Sequence, residues 1–218
     1  MIRKPVVAGS FYPDDSDELN QMIQNCFTHK FGPNSNPPKK SIEQIFGVIC
    51  PHAGYMYSGP IASHSYYEIS SQEFDLAIII GPNHWAIGSK IATMSNAKWQ
   101  TPLGISEVDN ESSDELVGIA ENIDQDYFSH SKDHSLEVQI PFLQEIFPSG
   151  LKILPIIMAK QDIDAAMEIG NAISQIAKSK KTMIIGSSDF THYEKNDFAH
   201  KQDMSLIEPI LKMDVNGF

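Results

Sequence analysis

Three short apolar runs in this chain each end in a small-residue turn that carries a histidine. Phe46-Gly47-Val48-Ile49-Cys50 runs into Pro51-His52-Ala53-Gly54-Tyr55, and Leu76-Ala77-Ile78-Ile79-Ile80 runs into Gly81-Pro82-Asn83-His84. A looser third copy is Met183-Ile184-Ile185-Gly186-Ser187-Ser188-Asp189-Phe190-Thr191-His192. Imidazoles and carboxylates bind transition metals, and imidazole also moves protons near neutral pH. Two histidines and one carboxylate around a metal with open positions is the donor set of non-haem iron oxygenases. A zinc hydrolase uses similar ingredients. His52 and His84 are therefore the candidate metal ligands, and Asp189 is a candidate carboxylate. Asp189 also has a plainer reading, as an early-turn carboxylate favoured by a helix dipole. His134 and Glu137 are spaced to share a helix face, as a metal pair, an acid/base pair or an ordinary surface pair. Spacing alone favours the surface pair. The apolar run after His134 points it inward, where its role would be acid/base chemistry or a hydrogen bond to substrate.

These side chains need rigid supports. A continuous apolar run reads as a strand buried on both faces, as in a parallel sheet. Ligands in such sheets sit beyond the carboxyl ends of the strands. If the three strands are neighbours, His52, His84, Asp189 and His192 converge at one edge. Between the first two runs lies a helical stretch over 61–69 that Pro60 is suited to open. That order makes a βαβ unit. Further strands are expected at 91–94, 99–103 and 151–158, and helices following Asp14-Asp15-Ser16, over 112–122, 162–177 and 203–213. Residues 133–143 read as mostly helical, with Pro141 at a kink or junction. The Pro- and Asn-rich stretch 31–40 reads as a surface loop. The alternation predicts an α/β class: a mainly parallel or mixed central sheet with helices on both faces.

Composition narrows the function classes. The chain has 218 residues, 41% hydrophobic and 20% charged, which suits one large globular domain over 1–218. Its net charge of -12 comes with scattered basic residues, which argues against nucleic acid as a partner. No apolar run is long enough to cross a bilayer, and no secretory leader is evident. Two cysteines, Cys26 and Cys50, form no disulfide framework, so a cytoplasmic location is expected. Cys26 reads as packing, and Cys50 as either a small buried apolar residue or a ligand. Tyr55, Tyr57, Trp85 and Phe11-Tyr12 are candidates to line an aromatic pocket, with core packing the plainer reading for each. His29, His64, His130 and His200 lack convergent context and read as structural or exposed. The chain carries no Gly-rich phosphate loop, nucleophile elbow or Cys-x-x-Cys pair.

Together the motifs resemble the Memo family. The resemblance rests on Ala8-Gly9-Ser10-Phe11-Tyr12-Pro13, Pro51-His52-Ala53-Gly54-Tyr55-x-Tyr57-Ser58-Gly59, Gly81-Pro82-Asn83-His84, Asp133-His134-Ser135-Leu136-Glu137 and Ser187-Ser188-Asp189-Phe190-x-His192. It implies a fold like that of class III extradiol dioxygenases, which open catechol rings with non-haem Fe(II). It implies His52 and His84 as metal ligands, with Asp189 and His192 lining the same pocket and His134 grouped with them as catalytic. Fe(II) or Cu is the implied metal, ahead of Zn. A redox-active or metal-binding protein, in one form a dioxygenase-like enzyme, is the expected function. The alternatives are a non-catalytic module for phosphorylated or anionic peptides and a zinc-type hydrolase. Animal members bind phosphotyrosine peptides, and microbial members are associated with a radical-SAM protein and an AMMECR-type partner. A small molecule or a phosphopeptide is accordingly the expected ligand. The family pattern continues past the helix at 206–213 into further strands and a Cys-Gly motif whose cysteine is a third metal ligand. Residues 1–218 do not reach it, and Cys50 is not its counterpart, so the single domain is expected to lack the C-terminal part of the family fold.

Overall fold

The computed structural model describes residues 1–38, 44–215 and 217. Lys39 and Lys40, at the end of the expected surface loop, lie outside the described residues. The chain forms two compact units, Met1–Ser188 and Asp189–Phe218.

The first unit opens with β1 (Ile2–Arg3) and α1 (Ser16–Thr28). Then follow β2 (Gly47–Cys50), α2 (Tyr55–Ile69), β3 (Leu76–Pro82), β4 (Ile91–Thr93), β5 (Lys98–Thr101) and β6 (Gly104–Glu107). After these come α3 (Asn110–Ile119), β7 (Asp124–Gln125), α4 (Tyr127–His130), one 3-10 turn (Glu137–Gln139) and α5 (Ile140–Ile146). The unit closes with β8 (Lys152–Met158), α6 (Ile163–Ile176) and β9 (Thr182–Ser187). The second unit holds α7 (Asn196–Leu211), which begins several residues before the expected 203.

The class is α/β, as the alternation predicts. The large sheet has the order β2-β9-β3-β8-β4-β7, parallel except for the β8–β4 pair. A small sheet, β1-β5-β6, stands beside it. Cys50 pairs with Ser187, and Ile80 pairs with Gly186, so β9 lies between the strands that lead to His52 and His84.

The central strands are buried on both faces. On β3, Ala77 and Ile79 enter one core, while Leu76 and Ile78 enter the other. On β8, Ile153 and Ile157 join the first core, and Leu154 and Ile156 the second. Each such Ile contributes about 1.5–3 kcal/mol on burial. Helices cover the two faces through apolar stripes at helical spacing. In α6 that stripe is Ala165, Ile169, Ala172, Ile173 and Ile176, and the Asp162 side chain caps the helix by accepting from Ala165 N at 2.9 Å. In α1 the stripe is Leu19, Ile23, Cys26 and Phe27, capped by Asp15.

Several local expectations are corrected. β2 is an edge strand with Ile49 41% exposed, not a strand buried on both faces, because only β9 pairs with it among the described residues. The helix α2 begins at Tyr55, which puts Pro60 inside it rather than at its start. Backbone bonds from Tyr57 N and Ser58 N to Gly54 O wind that earlier turn. The helix α3 is capped by Asp109, whose side chain accepts from Ser112 N at 2.9 Å, so Ser112 lies inside it. Residues 133–136 are not helical, and Pro141 sits in the first turn of α5, where its missing N–H costs nothing. His134 and Glu137 therefore do not form a surface pair on one helix face. Glu137 is fully buried and faces the amino-terminal arm.

Candidate metal centre

The turns after β2 and β3 bring His52 and His84 to one edge of the sheet, and the segment before the 3-10 turn brings His134. One ring nitrogen of each histidine lies within 4.8 Å of one from each of the others. The His84 and His134 rings stack at 4.5 Å with an interplanar angle of 17°. His52 stands edge-on to both, 5.2 Å from His84 and 5.6 Å from His134. Among the described residues this trio is the one cluster of His, Cys, Asp or Glu side chains spaced to hold a metal ion.

Local chemistry explains the approach of 133–136. Gly81 has no side chain to block it: a Cβ there would come within 2.9 Å of Leu136 Cδ2 and 3.0 Å of Ser135 Oγ. The Ser135 hydroxyl then donates to the Pro82 carbonyl at 2.8 Å. Phe11 walls the far side of His134 at 4.7 Å, and its carbonyl accepts from Tyr55 N at 2.7 Å.

Each strand-end histidine has an oriented partner. Asp133, 2% exposed, accepts from the His84 backbone N–H at 2.6 Å and from Ser135 N at 2.8 Å. Its Oδ2 lies 3.1 Å from His84 Nδ1. Burial alone would raise the Asp133 carboxyl, but the His84 ring, Ser135 and the His84 backbone outweigh it and hold the group well below the usual carboxylate range. A carboxylate that only accepts makes His84 Nδ1 the donor and, in the neutral ring, leaves the lone pair on Nε2, the arrangement of carboxylate–histidine–metal triads. His52 is 3% exposed, and its Nδ1 faces Ser187 Oγ at 2.9 Å. The His84 side chain is 36% exposed, so the cluster reaches solvent on that side.

The other candidates are divided between the two units. Asp189 and His192 belong to the second unit, where His192 Nδ1 lies 2.9 Å from the Phe190 carbonyl oxygen. Tyr12 and Tyr55 are core residues rather than pocket lining, because their hydroxyls are taken by Glu137 and by the Val138 carbonyl. Phe11 touches the cluster, while Tyr57 and Trp85 are exposed. Cys50 is fully buried in the main core, and burial pushes its thiol up to about 11, so it behaves as an apolar residue. Nothing in the residue order marks Asp133 or Ser187 as a partner of the histidines. Asp133 directly precedes His134 in sequence yet serves His84, and Ser187 meets His52 only through strand register.

A parallel-rich α/β sheet with a three-imidazole cluster beyond its strand ends defines the class: a protein with a candidate metal site in the place where such sheets hold ligands. The family follows from comparison. The model of the Memo-like protein family matches residues 3–218, and the chain belongs to that family. It is 58% identical over 218 residues to a MEMO1 family protein of Nitrosopumilus maritimus, covering 100% of this chain and 78% of that one. Over 222 residues it is 45% identical to one of Methanocaldococcus jannaschii, covering 98% and 77%. Over 221 residues it is 42% identical to one of Methanopyrus kandleri, covering 100% and 78%. No helix among the described residues is long and apolar enough to cross a membrane.

Proposed function

We propose that His52, His84 and His134 bind one transition-metal ion and that this centre is where the protein acts. The observation that carries the reading is the spacing of the three ring nitrogens, all within 4.8 Å of one another. The donor chemistry fits, because neutral imidazole suits iron, copper, nickel and zinc. Fe(II) or Cu is the metal we favour, with redox chemistry at a position reached from solvent on the His84 side. A metal bound there would supply Lewis acidity and, if iron or copper, electron transfer to a small-molecule ligand. The chain's own residues do the positioning: Asp133 orients His84, and Phe11 backs His134. Asp189 and His192 enter this reading as acid/base groups on the strength of their motif alone.

Zinc is the competing occupant, because three imidazoles with an open fourth position is also a catalytic zinc donor set. The test is the metal content and Fe(II), Cu and Zn affinity of anaerobically purified protein, beside His52→Ala, His84→Ala and His134→Ala. One metal per chain, lost in all three variants, is the expected result. Wild type without metal, or variants that keep it, would sink the reading. Preference for zinc with no oxygen-dependent turnover would select the hydrolytic alternative. Binding of a phosphotyrosine peptide that survives complete metal removal would select the non-catalytic module.

A further inference from the structure

We infer that Ser187, Gln139 and Tyr66 are positioning residues that hold His52 in a single tautomer, with the proton on Nδ1 and the lone pair on Nε2. The inference rests on the metal reading only for its purpose. Its geometry stands on hydrogen bonds that can be counted.

Carbonyl oxygens can only accept hydrogen bonds. The Ser187 hydroxyl lies 2.6 Å from the Ser135 carbonyl and spends its one proton there. The Gln139 side chain has its nitrogen 3.0 Å from the Pro51 carbonyl, which settles which end is the amide nitrogen. The same nitrogen lies 2.8 Å from Ser187 Oγ and donates its second proton to it. The other end, Gln139 Oε1, accepts from the Tyr66 hydroxyl at 2.5 Å. Ser187 Oγ has no proton left to give to His52. At 2.9 Å, His52 Nδ1 must therefore donate to Ser187 Oγ, which in the neutral ring leaves the lone pair on Nε2.

Each member of this relay is buried: Tyr66, Gln139 and Ser187 are 0%, 0% and 5% exposed. Water cannot substitute for a missing partner there at low cost. His84 receives the same assignment from Asp133, a charged group. The two strand-end imidazoles thus reach one tautomer by different routes, one through a carboxylate and one through a neutral chain that ends on a tyrosine. The neutral route suits His52 because it is the more deeply buried of the two, and a second buried charge would need its own compensation.

The experiment reads the tautomer directly, by long-range proton–nitrogen NMR of the imidazole rings in the full chain stripped of metal, with His52 assigned from His52→Ala. Cobalt(II) titration follows on the same samples. The wild type should show His52 protonated on Nδ1. Ser187→Ala should show mixed tautomers and bind cobalt about 10–100-fold more weakly. Ser187→Thr, which keeps the hydroxyl, should restore both. Should Ser187→Ala fail to fold, Tyr66→Phe supplies the second readout, with partial loss of the single tautomer. A wild-type His52 protonated on Nε2 would overturn the inference, as would an unchanged tautomer in Ser187→Ala. A wild type with Nδ1 protonated that binds no cobalt would uphold the relay and count against the metal reading instead.

Discussion

Residues 130–137 serve two neighbourhoods that contrast sharply. On one side, His130 and Glu137 are both 0% exposed and bond to the amino-terminal arm. Arg3 lies across them: its Nε donates to the His130 carbonyl at 2.9 Å, and its guanidinium pairs with Glu137 at 2.5 Å over the Trp99 ring. Glu137 also accepts from Val6 N, Val7 N and the Tyr12 hydroxyl. On the other side, the side chains of Asp133 and His134 face the histidine cluster. Arg3 joins the two, because it also donates to the Asp133 carbonyl oxygen at 2.6 Å. A histidine buried without a converging partner is scaffold, whereas a histidine beside two others is a candidate ligand. Residue type does not separate His130 from His134; surroundings do.

The contrast says that damage on one side should cost the fold and damage on the other should cost metal binding. The largest effect is expected for Glu137→Ala, which strands the buried Arg3 charge and the Val6 and Val7 amides. Denaturant unfolding should show a loss of about 3–5 kcal/mol, typical of breaking a buried pair. Unchanged stability would erase the distinction.

Next comes pH. Burial pushes the His130 imidazole down to about 3, with Arg3 adding to the effect and Asp126 and Asp133 opposing it. An unfolded histidine titrates near about 6.5. The unfolded chain then takes up a proton that the folded chain refuses. This contribution to stability is complete above about pH 6.5 and declines as pH falls toward 3. At about 1.4 kcal/mol per pH unit, the loss should reach about 3 kcal/mol by about pH 4. His130→Gln should flatten that slope in unfolding curves taken across the range, and an unaltered slope would place its origin in another group.

A smaller effect on the opposite side is expected for Asp133→Asn. It keeps an acceptor for His84 but removes the charge, so metal affinity should fall about 10–100-fold with the fold retained. Loss of the fold at constant affinity would assign Asp133 to the scaffold side. The smallest effect belongs to Trp85→Ala. Trp85 is 58% exposed beside His84, with Lys132 Nζ 5.7 Å from its ring. Stability should move by less than about 0.5 kcal/mol and metal affinity hardly at all. A large fall in affinity would make Trp85 part of the centre.

Much of the candidate site was legible in residue order alone. His52 and His84 each stand two residues past a strand end, and a run of apolar residues into a small-residue turn is a local signal. His134 was legible as a motif residue, but its place in the cluster was not, since helical spacing tied it to Glu137 rather than to His84. Local spacing overstated the helix over 133–136 because Gly81 leaves room for Ser135 and Leu136 to turn close against the sheet, and nothing near them in sequence reports that room.

The sequence by itself determined the α/β class, the strand-end histidines and the amphipathic faces of α1 and α6, because those follow from side-chain periodicity along a few turns of chain. Only the tertiary structure decided that β9 lies between β2 and β3, so that Ser187 meets His52. It also decided that Asp133 serves His84, that Glu137 holds Arg3 and that β2 stands at an edge. Those outcomes depend on strand register and on contacts between residues 49 to 135 positions apart, and local periodicity carries no information about either.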